Sequence, residues 1–142
     1  DDFKNRLLSD GNKAVAELGF TVESLKLVAL ENTDELHHMV VCTLCSCYPR
    51  TLLGVPPLWY KSREYRSRAA REPRAILREF GTTIPDSVEI RVVDSTADCR
   101  YLVIPKRPAN TEKMSEAELV KLITRDSMIG TAEALDQHGQ RS

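Results

Sequence analysis

Stretches of helical and of strand periodicity succeed one another along 142 residues, and that order predicts a mixed α/β (α+β) domain with helices packed outside its sheets. Two further observations agree. A composition 42% hydrophobic and 29% charged is that of a soluble globular protein. The length suffices to bury a core without disulfide staples, so residues 1–142 read as a single domain.

Residues 1–19 carry Phe3, Leu7, Leu8, Ala14, Val15 and Leu18 at helical spacing, with Gly19 as the stop. Gly11 lies inside that pattern and divides it in two. Leu25–Leu30 alternates and then saturates, as a strand with one well-buried face does. Glu31–Asp34 is a turn, and His37–Val41 is a second strand that delivers the chain to Cys42.

Pro49, Gly54, Pro56 and Pro57 make 48–57 a loop. Residues 58–80 form helix in two pieces, the first capped by Ser62 and the second restarted by Pro73 at an N1-like position, ending at Gly81. Val88–Val93 and Cys99–Ile104 alternate across the turn 94–98, which predicts an antiparallel hairpin. Ser115 with Glu118 is a capping-box signature before Leu119, Val120, Leu122 and Ile123. The tail from Gln137 is polar and frayed.

Charge and cysteine usage narrow the function classes. A net charge of −1 provides no bulk attraction to nucleic acid or to anionic lipid. No apolar run approaches the roughly 20 residues that span a bilayer, and nothing resembles a secretory leader. Four cysteines, three of them bunched, make a poor disulfide framework, and the expectation is a cytoplasmic protein with reduced or metal-bound thiols. The chain opens on Asp1 rather than Met, and so reads as trimmed.

The chemistry concentrates in Cys42-Thr43-Leu44-Cys45-Ser46-Cys47. Three thiols in six residues cannot all pair with one another, so the run reads as a metal claw. A metal on the sulfurs of Cys45 and Cys47 and on the backbone nitrogens of Ser46 and Cys47 closes fused chelate rings that can share a plane. Cys42 then approaches as an axial thiolate. Amide nitrogens coordinate only when deprotonated, which favours a strongly polarising trivalent ion such as low-spin iron or cobalt. Zinc is the plainer alternative: Cys42 and Cys45 make half a tetrahedral site, with Cys99, His37 or His38 to complete it. A redox-active thiol cluster is the third reading. Spacing does not choose among them.

The flanking residues add a resemblance. Val41–Cys47, followed by Leu53-Gly54-Val55-Pro56-Pro57 and Trp59-Tyr60-Lys61-Ser62, closely resembles the alpha subunit of nitrile hydratases. The similarity continues through Glu64-Tyr65-Arg66, Arg71–Arg74, Glu89–Val92, Asp94-Ser95-Thr96, Arg100-Tyr101, Pro105–Glu112 and Thr124–Gly130, covering about 27 to 130. Thr43 matches the cobalt-type version. The gamma subunit of thiocyanate hydrolase and the three-subunit toyocamycin nitrile hydratase share the motif.

The resemblance implies a four-layer α/β/β/α fold. It also implies one low-spin Co(III) per chain, in preference to iron, held by Cys42, Cys45, Ser46 and Cys47. Cys42 matches the axial thiolate, Cys45 the cysteine oxidised to sulfinate and Cys47 the one oxidised to sulfenate, with Ser46 and Cys47 supplying the amidate nitrogens. The implied partner is a beta-type subunit, in one chain or two, whose arginines hold the oxidised sulfurs. The implied reaction is hydration of a small-molecule nitrile to its amide, with Cys45 and Cys47 at the reacting centre. Either the metal polarises the nitrile or activates water, or the Cys47 sulfenate oxygen attacks. A thiocyanate hydrolase would instead carry thiocyanate on to carbonyl sulfide and ammonia. Two positions depart from the family: Arg50 stands where Trp is common, and Glu23 where Gln is frequent. Both lie near the metal pocket in the family, and they signal either an unusual substrate such as an anion or a salt bridge without catalytic meaning.

Other features read as structural. The arginines of 63–78 are diluted by Glu64, Glu72 and Glu79, so a solvated or subunit-facing helix is favoured over a nucleic-acid site. His37 and His38 point to opposite faces of their strand and read as structural or surface residues. Cys99 reads as a small core hydrophobe. A zinc-binding interaction module is the non-enzymatic alternative.

Overall fold

A computed structural model describes residues 2–21, 25–42 and 47–141. Helices α1 (Asp2–Ser9) and α2 (Gly11–Ala16) divide at Asp10, whose carboxylate caps α2 by accepting from the Lys13 N–H at 3.1 Å. Gly11 is there for space. A Cβ on it would come within 2.3 Å of the Leu27 carbonyl oxygen, so only glycine lets α2 lie against strand β1 (Lys26–Glu31). Asn12 completes the join, donating to Leu25 O (2.8 Å) and accepting from Leu27 N–H (2.7 Å).

Strands β2 (Leu36–Val41), β3 (Glu89–Asp94) and β4 (Cys99–Ile104) follow, and their pairing differs from the expectation. The predicted β3–β4 hairpin is not formed: β4 pairs parallel with β1 (Lys26 opposite Cys99), and β3 pairs parallel with β2 (Leu36 opposite Glu89). The turn itself is present, with Thr96 and Cys99 exchanging backbone hydrogen bonds of 2.9 and 3.3 Å. It reverses the chain but passes it from one two-stranded sheet to the other. The turn between β1 and β2, closed by Thr33 N–H to Leu36 O at 2.9 Å, does the same.

Two sheets result, meeting where Val103 of β4 joins Met39, Val40 and Val41 of β2 in one buried cluster. Burying each such aliphatic side chain contributes about 1.5–3 kcal/mol. His37 through Val41 are all buried, so β2 has no solvent face. Helices α1 and α2 cover the β1–β4 sheet. Helices α4 (Arg63–Arg71) and α5 (Pro73–Glu79) cover β2 and β3. The layers run α/β/β/α, as the resemblance implied.

The caps read from sequence are in place. Ser62 Oγ accepts from Tyr65 N–H at 3.1 Å, Pro73 opens α5, and Ser115 and Glu118 form a reciprocal box at α6 (Glu116–Val120). Two helical pieces are additional. The expected loop 48–57 contains one turn, α3 (Arg50–Leu53), which Pro49 tolerates because a residue preceding a helix needs no N–H of its own. Helix α7 (Arg125–Ile129) is capped by Thr124 and ends at Gly130 in the left-handed region.

Candidate metal centre

Strand β2 ends at Val41, and Cys42 follows it directly, 1% exposed. Cys47 is buried, and the chain continues into buried Tyr48. Cys45, Ser46 and Glu23, all expected near the metal, lie outside the described residues. Cys42 thus sits at the end of a fully buried strand, and Cys47 is roofed by the 3-10 turn Leu58–Lys61, with the start of α4 packed on β2.

That roof is aromatic. Tyr60 and Tyr65 are essentially unexposed. Tyr48 meets Tyr60 edge to face with centroids 5.1 Å apart, and Trp59 packs on Tyr65 (4.9 Å) and Phe80 (4.8 Å). The Tyr60 hydroxyl donates to the Cys47 carbonyl at 2.7 Å, and the Tyr65 hydroxyl donates to the Val40 carbonyl at 2.7 Å. Burial raises both phenols well above their ordinary range, and Cys42 and Cys47 lie close enough for negative charge on either sulfur to raise Tyr60 further. Both phenols keep their protons and remain donors. Burial pushes Tyr48 up to about 12.

Arg50 opens α3 on the exposed side of this corner. With Leu25, Leu27, Tyr48 and Arg100 it lines a cavity of about 220 Å³, placing two arginines on one recess next to the cysteine segment.

The two histidines are held away from it. His37 Nε2 lies 2.7 Å from the Gly130 carbonyl oxygen and must donate, leaving Nδ1 to accept from Asn32 Nδ2 at 3.2 Å. Asn32 Oδ1 accepts from His38 N–H (2.7 Å) and from His38 Nδ1 (3.1 Å). Burial lowers both imidazoles, so both are neutral. Four to five extended residues, roughly 13–16 Å, separate them from Cys42 on β2, so they cannot complete a zinc half-site there. Their role is structural, as expected, but inside the molecule. Cys99, expected in the core, is half-buried at the start of β4.

The arginine-rich helix is largely occupied internally. Arg68 bonds Glu64, Glu72 and Glu79, and Arg74 donates to the carbonyls of Ile84 (2.7 Å), Pro85 (3.0 Å) and Val88 (2.7 Å). Sequence reasoning missed the tyrosine roof and the Asn32 clamp. Tyr60 and Tyr65 were visible only as parts of the resemblance, and Asn32 only as a turn residue.

By fold and candidate site, then, the protein is of one class: a layered α/β/β/α domain that buries Cys42 just past the end of β2 and Cys47 under the tyrosine roof. The comparisons supply the family. A family model for the nitrile hydratase alpha chain matches residues 1–132, and the chain belongs to that family. It is 53% identical over 135 residues to the alpha subunit of a cobalt-containing nitrile hydratase from Pseudonocardia thermophila, covering 94% of this chain and 66% of that protein. It is 42% identical over 143 residues to the gamma subunit of thiocyanate hydrolase from Thiobacillus thioparus, covering 92% and 59%. Among solved structures, a double histidine-to-alanine mutant of the Fe-type nitrile hydratase from Comamonas testosteroni Ni1 superposes with a TM-score of 0.89 at 49% identity, covering 93% and 65%. The chain thus spans about two thirds of the length of such relatives.

Proposed function

We propose that this chain is the metal-binding subunit of a nitrile hydratase, hydrating a small nitrile to its amide with a beta-type partner subunit. Cys42, Cys45, Ser46 and Cys47 would hold a trivalent cobalt. The observation that carries the reading is the placement of Cys42 and Cys47, both buried, with Cys47 held by the Tyr60 hydroxyl through its carbonyl, in a chain 53% identical to a cobalt-containing relative. Two buried thiols suit a soft ligand set, and the two imidazoles locked elsewhere leave His37 and His38 out of a zinc site there.

When bound there, a trivalent ion supplies Lewis acidity toward a nitrile or water. The chain's own contribution is to bring the ligands to one point, to keep Tyr60 and Tyr65 protonated beside them, and to exclude water with the aromatic roof. Oxidation of Cys45 to sulfinate and Cys47 to sulfenate is part of the reading.

Co-production with a beta-type partner in cobalt-supplemented cells tests it. The expected product carries one cobalt per chain, an intact mass raised by about 48 Da from three added oxygens, and nitrile turnover. One tetrahedral zinc per chain with unmodified thiols in the active complex would overturn it.

Arg50 favours a second reading. An arginine beside the cysteine segment, with Arg100 on the same recess, suits an anionic substrate such as thiocyanate, and a thiocyanate hydrolase subunit stands among the relatives. Turnover of thiocyanate against neutral nitriles by the same complex separates the two.

A further inference from the structure

The two buried phenols of the roof grip the cysteine segment at both ends. Tyr65 holds the Val40 carbonyl, two residues before Cys42, and Tyr60 holds the carbonyl of Cys47 itself. Both come from one short elbow between the 3-10 turn and α4, and their rings lie 5.8 Å apart. Ser62 fixes that elbow from within, donating to the Trp59 carbonyl (2.7 Å) and accepting from the Tyr65 N–H (3.1 Å). Both anchor points of the segment are therefore tied to one element that supplies none of the proposed ligands.

We infer that Tyr60 and Tyr65 are positioning residues, a two-point clamp that ties the strand leading into Cys42 and the carbonyl of Cys47 to one element and so preorganises the Cys42–Cys47 segment for a metal. The inference rests on the metal reading above. Physically, a peptide that wraps an ion through its own backbone nitrogens must surrender its torsional freedom, a cost of about 1–2 kcal/mol per residue. A clamp that fixes both ends beforehand removes part of that cost and leaves the bound ion less freedom to escape. The Tyr60 bond acts on Cys47 directly, fixing the Cys47–Tyr48 peptide plane by which the chain leaves the segment. Tyr65 acts at one remove, through β2.

The test uses the complex with its beta-type partner, loaded by cobalt(II) in air, in the unsubstituted form and as Tyr60→Phe, Tyr65→Phe and Ser62→Ala. Ile76→Val, a change within the same core that removes no hydrogen bond, is the stability control. Tyr60→Phe is expected to shift or broaden the sulfur-to-cobalt charge-transfer absorption. It should also release cobalt to a chelator about five- to tenfold faster, the effect of one lost hydrogen bond. Tyr65→Phe and Ser62→Ala should move both readouts in the same direction by less, and Ile76→Val should move neither. If Tyr60→Phe yields no soluble complex, the other two variants decide. Unshifted absorption and unchanged release in the variants overturn the clamp alone. Absence of that absorption from the unsubstituted complex overturns the metal reading and the clamp with it.

Discussion

Asn32 donates its side-chain N–H to Nδ1 of His37 while the same imidazole donates through Nε2 to Gly130, an arrangement that only a neutral His37 can satisfy. Protonating Nδ1 would set two donors against each other in a buried site. Both imidazoles have folded values below their ordinary 6.5, so their contribution is complete above that value and is lost as pH falls through the depressed one. Lys106 opposes and Glu133 favours charge on His37, while Arg91 opposes and Glu89 favours it on His38; burial outweighs all four. Denaturant midpoints should therefore be flat near pH 7–8 and decline below about 6.5, and His37→Gln should flatten that decline.

Gly130 carries a different constraint. Its φ is +92°, and a Cβ there would lie 2.0 Å from the His38 carbonyl oxygen, whereas Gly19, at φ +89°, has open space around it. Gly19→Ala should cost only the left-handed backbone penalty, about 1–2 kcal/mol. Gly130→Ala must also push α7 off β2, and should cost more than 3 kcal/mol or prevent folding. Equal losses in thermal melts of the two variants would contradict the close approach.

Arg74 ties three carbonyls of the segment entering β3 with one planar guanidinium. Lysine has the charge but not the fork. Arg74→Lys should cost about 1–3 kcal/mol in urea unfolding, and Arg74→Ala somewhat more. A neutral Arg74→Lys result would mean that charge alone suffices there.

At the surface, Arg68 joins three glutamates, and this network is open to salt. Arg68→Ala should lower Tm at low ionic strength, with the difference shrinking in molar salt. A salt-independent loss would point instead to packing by the Arg68 stem.

Arg50 should decide substrate charge without touching the metal. Arg50→Trp is expected to weaken turnover of thiocyanate relative to a neutral nitrile, with cobalt content unchanged. Kinetics on the partnered complex read this as KM for the anion; loss of cobalt would assign Arg50 to holding the centre.

What the chain determined alone is what lies within a few residues of itself. Ser62, Pro73 and the Ser115–Glu118 box were legible because a cap is a hydrogen bond spanning three residues. The division near Gly11 was legible as a break in helical pattern, though its place at Asp10 is set by a local cap and the need for glycine by a close approach to β1. The cysteine run marked a candidate site without choosing its chemistry, and the residues around it pointed to the family.

Tertiary structure decided the rest. A tight turn such as Thr96–Cys99 satisfies the same short-range bonds whether its strands pair with each other or part to separate sheets. The choice fell to long-range burial, because β2 is buried along His37–Val41 and is paired by β3 rather than by its sequence neighbour. Only the folded chain could bring Asn32 to two histidines and Gly130, or carry Tyr60 and Tyr65 to carbonyls 13 and 25 residues away. Such bonds leave no periodic trace, since each joins residues whose separation in sequence carries no information about their separation in space.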